Sequence, residues 1–95
     1  MKEITPRQAK KALEQGAILL DVREAKEYSA ENVEGSLFIP LSELAVRRGE
    51  IPNGRTIITI CRSGGRSAMA AQILGQVGFD AVNLKGGLIA WKNEN

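Results

Sequence analysis

The sequence predicts an α/β fold with a mostly parallel β-sheet, and three observations support this prediction. Apolar segments of strand length alternate with helix-forming segments along the 95 residues. Two of the apolar segments, residues 17–22 and 57–60, are almost unbroken aliphatic runs, which is typical of strands covered on both faces. Glycine or proline punctuates most of the connections. The chain length fits one domain, residues 1–95.

Five strands and five helices are predicted, and local signals set the limits of the first ones. In chain order the strands are residues 3–4, 17–22, 36–39, 57–60 and 81–84, and the helices are residues 6–15, 23–29, 41–48, 68–77 and 88–91. Thr5 begins the first helix, because Pro6 suits the first helical turn and Gln8 completes a capping box. Gly16 lies just past the end of this helix. The second strand stays apolar as far as Asp21.

Proline and glycine limit the later elements. Pro40 stops the third strand, because proline has no N–H for the ladder. The third helix is amphipathic and Gly49 follows it. The fourth helix contains good helix formers and ends before Gly78. A loop through Gly86 and Gly87 separates the last strand from a short closing helix.

One stretch brings a strand, a glycine-rich turn and a helix start together around the only cysteine. Cys61 directly follows the strand 57–60. The residues after it are Arg62, Ser63, Gly64, Gly65, Arg66 and Ser67. A helix N-terminus has unpaired N–H groups that favour an anion, and the two glycines allow these groups to converge. Together with the two arginines, they are expected to stabilise the thiolate of Cys61, which is its nucleophilic form.

Each residue of the loop also has a plain structural explanation. A lone cysteine after an apolar strand is usually a small buried side chain, but two arginines and two glycines around Cys61 favour a reactive thiol. Arg62 is either a solvated charge or a contact to an anionic substrate at the rim. Arg66 is expected to close the loop against carbonyls or a carboxylate. Ser67 is expected to cap the helix, and Ser63 to contribute its backbone N–H.

Two further charged residues are predicted to lie near this loop. Asp21 and Arg23 follow a neighbouring strand, and ligands of parallel sheets bind at the carboxyl ends of the strands. They either face the pocket or form an ion pair that ties the loops together. The ion pair is the favoured explanation, with Glu27 or another carboxylate as the partner.

Composition excludes several classes of function. The chain has no histidine, so it cannot form a Ser-His-Asp triad, a Cys-His pair or a histidine metal site. A net charge of +2 without an aromatic platform argues against nucleic acid. One cysteine cannot form an internal disulfide and suits a reducing compartment. No run reaches membrane-spanning length, and residues 1–11 lack signal-peptide features, so we expect a cytoplasmic monomer that does not bind membranes.

The loop around Cys61 resembles the active-site loop of the rhodanese (sulfurtransferase) family. Other stretches that resemble the family, spread over roughly residues 3–92, are Asp21-Val22-Arg23, Glu27-Tyr28, Gly35-Ser36, Ile39-Pro40, Gly78-Phe79, and Gly86-Gly87 with Trp91. The resemblance implies a five-stranded sheet with helices on both faces. Trp91 is most simply a core residue, and the resemblance offers the alternative that it walls one side of the pocket. The resemblance also implies that Cys61 is catalytic, that residues 62–67 bind the substrate, and that no metal or organic cofactor is needed. One departure is Glu-Asn-Val at residues 31–33, where the family often has Gly-His-Ile; altered packing or rim chemistry is expected there.

The implied reaction is sulfur transfer of the thiosulfate:cyanide type through a persulfide on Cys61. The partners are a small anionic sulfur donor and a thiophilic acceptor such as cyanide, a thiol or a protein thiol. Phosphatases with related loops carry five residues between cysteine and arginine, whereas four separate Cys61 from Arg66. The shorter ring favours sulfur over phosphate, and only Asp21 among the aspartates lies near enough to act as an acid. A non-catalytic or redox-sensing module, and a small phosphatase or arsenate reductase, are the alternatives.

Overall fold

The sheet has five strands in the order β1-β5-β4-β2-β3, and every neighbouring pair is parallel. The strands are β1 (Glu3–Ile4), β2 (Ile18–Asp21), β3 (Leu37–Phe38), β4 (Ile57–Ile60) and β5 (Ala81–Leu84). The structure is a computed structural model that describes residues 2–94. The predicted α/β class and parallel sheet are confirmed, with β4 at the centre between β2 and β5.

Helices cover both faces of the sheet, as expected. They are α1 (Pro6–Glu14), α2 (Ala25–Ala30), α3 (Leu44–Arg47), α4 (Gly65–Gln76) and α5 (Gly87–Asn93). Alternate residues of each strand serve different cores, because successive side chains point to opposite faces. Leu20 and Ile57 pack with residues of α3 and α4. Leu19 and Ile58 pack with residues of α1 and α5.

The central strand places Cys61 at its carboxyl end. All four residues of β4 are fully buried, and each of its isoleucines contributes about 1.5–3 kcal/mol by leaving water. Ile57, Thr59 and then Cys61 follow the period of two that carries side chains to the same face. Cys61 accordingly packs in the cluster that includes Ala70 and Leu74 of α4. The hydrophobic pattern of β4 therefore positions the thiol beneath the start of α4.

The first helix begins as predicted. Thr5 Oγ1 accepts the N–H of Gln8, and Gln8 Oε1 accepts the N–H of Thr5, so both halves of the capping box are present. The helix ends at Glu14, one residue earlier than expected. Gly16 follows with φ of +103°, in the left-handed region that favours glycine.

The later helices also differ from their predicted limits, and the differences are largest for α3 and α4. The expected helix over residues 41–48 is a single turn, α3, between 3₁₀ turns at Leu41–Glu43 and Arg48–Glu50. Only Leu44 of α3 is buried, and so short a helix lacks the packing that would extend it. Helix α4 begins at Gly65 rather than at residue 68, because Gly64, with φ of +111°, completes the turn after Cys61. Arg66 and Ser67 therefore lie in the first turn of α4.

The helices are short relative to a lipid bilayer. The longest of them, α4, has 12 residues. Within residues 2–94, no helix combines the length and the apolar character needed to cross a membrane.

Candidate active site

The loop after β4 turns hydrogen-bond donors towards the sulfur of Cys61. The N–H of Gly64 donates to Sγ at 3.1 Å, and Ser67 Oγ lies 3.3 Å from Sγ. Gly64 is the N-cap residue of α4. N–H groups at the start of a helix have no carbonyl within the helix to bond, so that of Gly64 is available to the sulfur. Of the N–H groups that were expected to converge on the cysteine, that of Gly64 forms a hydrogen bond to Sγ in this geometry.

The surroundings of Cys61 favour its ionised form. Burial raises the pKa of the thiol, but the Ser67 hydroxyl and the N–H groups of Ser67, Gly64 and Ser63 lower it, and the resulting pKa lies below the usual value. Hydrogen bonds to the charged form therefore outweigh desolvation. The thiolate is stabilised without an imidazole, as the absence of histidine requires.

Cys61 is more enclosed than its predicted role suggested. The residue is 1% exposed and is part of the core beneath α4. A surface pocket of about 420 Å³ opens beside it, lined by residues that include Arg23, Glu27, Arg62 and Leu88. Cys61 is not among the lining residues, so a donor that enters this pocket reaches Sγ only after a local movement of the loop or of the rim.

Arg66 closes the loop against a carboxylate, as expected. Its guanidinium donates to Glu27 Oε1 at 2.6 Å and to Glu27 Oε2 at 2.9 Å, which ties α4 to α2. These two bonds and, next, a bond from the Glu24 N–H lower the pKa of Glu27 to about 2. Arg66 is thereby held in place as part of the scaffold of the loop.

The Glu27–Arg66 pair leads to a prediction for stability against pH. Glu27→Gln keeps an acceptor for the Glu24 N–H but removes the charge. We expect it to lower the free energy of unfolding by about 1 kcal/mol at pH 7, since about a third of each side chain is open to screening. A lowered pKa in the folded state makes this contribution complete above about pH 4.5 and removes it as the pH falls towards 2.

Urea unfolding at several pH values measures this difference. Glu43→Gln, which breaks an exposed pair with Arg47, is the control for the loss of one surface charge. A difference between wild type and Glu27→Gln that does not change with pH would contradict the prediction.

Asp21 and Arg23 pair with each other rather than with Glu27. Arg23 Nε and Nη2 donate to the Asp21 carboxylate at 2.9–3.1 Å, and both residues are buried. Arg23 Nη2 also donates to the carbonyl of Glu31 at 2.6 Å. The expected ion pair is present and ties the end of β2 to the end of α2. Of the expected partners, Glu27 or another carboxylate, the structure selects Asp21, because Arg66 occupies Glu27.

Ser63 and Arg62 are exposed residues of the loop with different contributions to the site. Ser63 is exposed, and its N–H is among the groups that favour the thiolate. Arg62 is exposed and lines the pocket beside the loop. Within residues 2–94 its guanidinium has no hydrogen bond or ion pair to another side chain or carbonyl. Arg62 is therefore a cation available to an incoming anion.

The start of α5 packs directly on the backbone of the loop. The N–H of Leu88 donates to the carbonyl of Cys61 at 2.8 Å, and the N–H of Ile89 donates to the carbonyl of Arg62 at 3.2 Å. Gly87 has φ of +61°, and a Cβ there would lie 2.5 Å from the Arg62 oxygen. This approach needs glycine, and it fixes the base of the loop from outside.

Ser67 does not act as the expected helix cap. Gly64 is the N-cap residue, and Ser67 is fully buried in the first turn of α4. Its hydroxyl donates to Asn83 Oδ1 at 2.6 Å, and Thr59 Oγ1 donates to its carbonyl at 2.8 Å. Sequence reasoning missed Asn83 and Thr59. The available signal was that each is a polar residue within an otherwise apolar strand. A buried polar group requires a hydrogen-bond partner, so such a residue indicates a polar contact inside the fold.

Two other residues named from the resemblance lie outside the pocket lining. Trp91 packs with the core on the α1 face, where Lys10 Nζ lies 5.0 Å from its ring, as the simpler of its two explanations predicted, and it does not line the pocket beside the loop. Asn32, at the position that departs from the family pattern, donates to the carbonyl of Tyr28 at 2.9 Å near the end of α2. Within residues 2–94, no group of three or more potential metal ligands lies together.

The fold and the loop define an α/β protein with a cysteine at the carboxyl end of the central strand and a backbone N–H directed at its sulfur. Comparison with known proteins gives its family. The profile of the rhodanese-like domain family matches residues 5–94, so the chain belongs to this family. A protein of Allochromatium vinosum named sulfurtransferase is 39% identical over 75 residues, which cover 78% of this chain and 70% of that protein.

Longer proteins and solved structures contain similar domains. The probable adenylyltransferase/sulfurtransferase MoeZ of Mycobacterium tuberculosis is 36% identical over 96 residues, which cover 96% of this chain but only 24% of that protein. The chain thus spans about a quarter of the length of this relative. The crystal structure of a rhodanese-related protein from Thermoplasma volcanium matches with a TM-score of 0.92 and 29% identity, and covers 100% of this chain and 94% of that one.

Proposed function

We propose that the protein is a sulfurtransferase in which Cys61 accepts a sulfane sulfur from an anionic donor of the thiosulfate type. The acceptor is a thiophile, namely cyanide in the test tube and a thiol or a protein cysteine in the cell. The observation that carries the proposal is the N–H of Gly64 aimed at Sγ from 3.1 Å, in a turn whose hydrogen bonds lower the pKa of the thiol. Family membership and relatives named sulfurtransferases support it.

The reaction is a double displacement. The Cys61 thiolate attacks the outer sulfur of thiosulfate, the sulfur–sulfur bond of the donor breaks, and its electron pair leaves with sulfite. Cys61 then carries a persulfide whose outer sulfur is negative. Cyanide attacks this sulfur, thiocyanate leaves, and the thiolate is restored. Backbone donors that are already oriented stabilise the displaced charge, typically by about 3 kcal/mol per contact at the transition state.

The charged side chains around the loop favour sulfur transfer over phosphate hydrolysis. A phosphatase needs an acid that protonates the leaving oxygen, whereas sulfite leaves without a proton. Asp21 is 1% exposed and is held by Arg23 through both carboxylate oxygens, so it is not free to serve as that acid. Arg66, which would otherwise meet a phosphate, is held by both oxygens of Glu27.

The pocket beside the loop suits an anionic donor, and Arg62 is the residue that we expect to bind it. Arg62→Ala should raise the KM for thiosulfate roughly tenfold, with a smaller effect on kcat, because one charge-assisted contact to the bound donor is lost. Arg48→Ala removes the same charge from an exposed position in a different pocket and should leave the KM unchanged. An equal effect of the two variants would mean that net charge, and not this contact, attracts the donor.

A panel of sulfur donors tests the function itself. Release of sulfite from thiosulfate, or of the remnant of another donor, should accompany a mass increase of one sulfur atom on Cys61 that cyanide removes. Hydrolysis of an aryl phosphate faster than sulfur transfer would overturn the proposal. The 1% exposure of Cys61 is the one observation that favours a non-catalytic or redox-sensing module, and that alternative would gain support if no donor loaded the thiol.

A further inference from the structure

A buried asparagine on β5 lies two contacts away from the sulfur of Cys61. Asn83 is fully buried. Its amide nitrogen donates to Glu3 Oε2 at 2.9 Å and to the carbonyl of Gly64 at 3.2 Å. An ionised carboxylate and a carbonyl only accept hydrogen bonds, so this end of the amide has to be the nitrogen. The other end, Oδ1, therefore faces the hydroxyl of Ser67 at 2.6 Å.

The hydroxyl of Ser67 has one proton and two neighbours that compete for it. Oδ1 of Asn83 is 2.6 Å from Ser67 Oγ, and Sγ of Cys61 is 3.3 Å from it. Because Oδ1 has no proton to give, the short contact requires Ser67 to donate to Asn83. In that arrangement Ser67 Oγ presents a lone pair to Sγ. A neutral thiol suits this lone pair because it can donate its S–H, whereas a thiolate is repelled by it.

We propose that Asn83 is a positioning residue for Cys61, because it competes with the sulfur for the hydroxyl proton of Ser67 and so sets how readily the thiol ionises. When Cys61 ionises, its proton leaves to water and the Ser67 hydroxyl rotates to donate to Sγ. Asn83 Oδ1 then loses its donor. The proton of Ser67 changes direction but is never transferred.

The same exchange applies to the sulfur-loaded form, and this step alone rests on the proposed function. When Sγ binds a second sulfur, the negative charge moves to the outer atom. The Ser67 hydroxyl is then free to return to Asn83. The direction of one hydroxyl thus follows the chemical state of Cys61.

Charged groups on the surrounding elements do not contact the Ser67 hydroxyl. They are Arg66 on α4 with Glu27 on α2, Asp21 with Arg23 after β2, Lys92 on α5 with Glu31, Arg62 in the loop, and Glu3 on β1 at the far side of Asn83. None of the pairings among them involves the Ser67 hydroxyl. The competition between Asn83 and Sγ therefore acts through the Ser67 hydroxyl and requires no change in these ion pairs.

Replacement of Asn83 by an apolar residue tests the inference. A positioning role of Asn83 predicts that the pKa of Cys61 falls, and a merely structural role does not. Asn83→Leu removes Oδ1, and the Ser67 hydroxyl then donates to the thiolate without competition. We expect the pKa of Cys61 to fall by about one unit, and to rise by about one unit in Ser67→Ala, which loses the donor. A merely structural role of Asn83 predicts no fall. Asn83→Val, smaller and β-branched, should give the same sign if leucine is not tolerated.

The measurement is the ultraviolet absorbance of the thiolate during a pH titration of the folded protein. The chain has one cysteine, so no second thiol contributes, and the same titration of Cys61→Ser gives the baseline. No sulfur donor is present, so failure of this inference and failure of the proposed sulfur transfer are distinguishable.

Two controls isolate the hydroxyl. The double variant Ser67→Ala/Asn83→Leu should have the pKa of Ser67→Ala, because Asn83 acts through the hydroxyl. Thr59→Val removes an equally buried group that bonds the carbonyl of Ser67 rather than its hydroxyl, so it should lower stability without moving the pKa. A pKa that rises or stays constant in Asn83→Leu, or that falls equally in the Ser67→Ala background, overturns the inference.

Discussion

Cys61→Ser is expected to abolish sulfur transfer, with a loss of roughly 10⁴-fold or more in the rate of sulfite release. A serine hydroxyl is not ionised near neutral pH, and it forms no bond with sulfur equivalent to a persulfide. The N–H of Gly64 and the hydroxyl of Ser67 can still bond the smaller oxygen, so the loop should keep its shape. The variant therefore separates the nucleophile from the binding site around it.

Mass spectrometry and two tests of folding make this result decisive. Intact-protein mass spectrometry after incubation with thiosulfate should show one added sulfur on the wild type and none on Cys61→Ser. Thermal unfolding and circular dichroism should remain close to those of the wild type, because the substitution removes little volume. Sulfite release by a folded Cys61→Ser variant at the wild-type rate would refute the assignment of Cys61 as the nucleophile.

Gly87→Ala is expected to have the second largest effect, although residue 87 does not touch the sulfur. Its new Cβ would lie 2.5 Å from the oxygen of Arg62 and 2.6 Å from the oxygen of Cys61, and neither backbone atom can move without displacing the loop. A shift of the loop by about 1 Å is expected to reduce kcat/KM roughly 100-fold. Overpacking of this kind should also lower the free energy of unfolding by about 1–3 kcal/mol.

Gly54→Ala is the matched control for Gly87→Ala. Gly54 also has a positive φ, +79°, but a Cβ there meets nothing within 4 Å. The Gly54→Ala variant should have a lower free energy of unfolding through backbone strain alone and should keep the activity of the wild type. If the two alanine variants lost activity equally, the contact between α5 and the loop would not be the cause.

The pattern of β4 and its loop could be predicted from the sequence because each signal there is local. A strand of buried residues, Cys61 and Gly64 follow one another in the chain, and strand, turn and helix geometry then decide where the N–H groups point. The pairing of Arg66 with a carboxylate was likewise expected from its position. Charge alone, however, did not identify Glu27 as the partner, since Asp21, Glu27 and other carboxylates were equally plausible in sequence.

The features that could not be predicted depend on residues far apart in the chain. Ser67 contacts Asn83 across 16 positions, and Asn83 contacts Glu3 across 80. The hydrophobic periodicity of the sequence does not indicate such long-range contacts. The sequence therefore suggests a helix cap for Ser67 and gives no role for Asn83. The enclosure of Cys61 has the same origin, because it depends on how α4 packs over the end of β4.

The positions of β5 and α5 have a consequence for synthesis of the protein. Within residues 2–94, strand β1 pairs with β5, which is the last of the five strands along the chain. The N–H groups of Leu88 and Ile89, after β5, donate to the carbonyls of Cys61 and Arg62. A nascent chain that has left the ribosome only as far as residue 80 therefore carries its cysteine without this support. The support around the thiol is therefore complete only after residues 81–89 have been made, so we expect a nascent chain that lacks them to carry a less reactive cysteine than the folded domain.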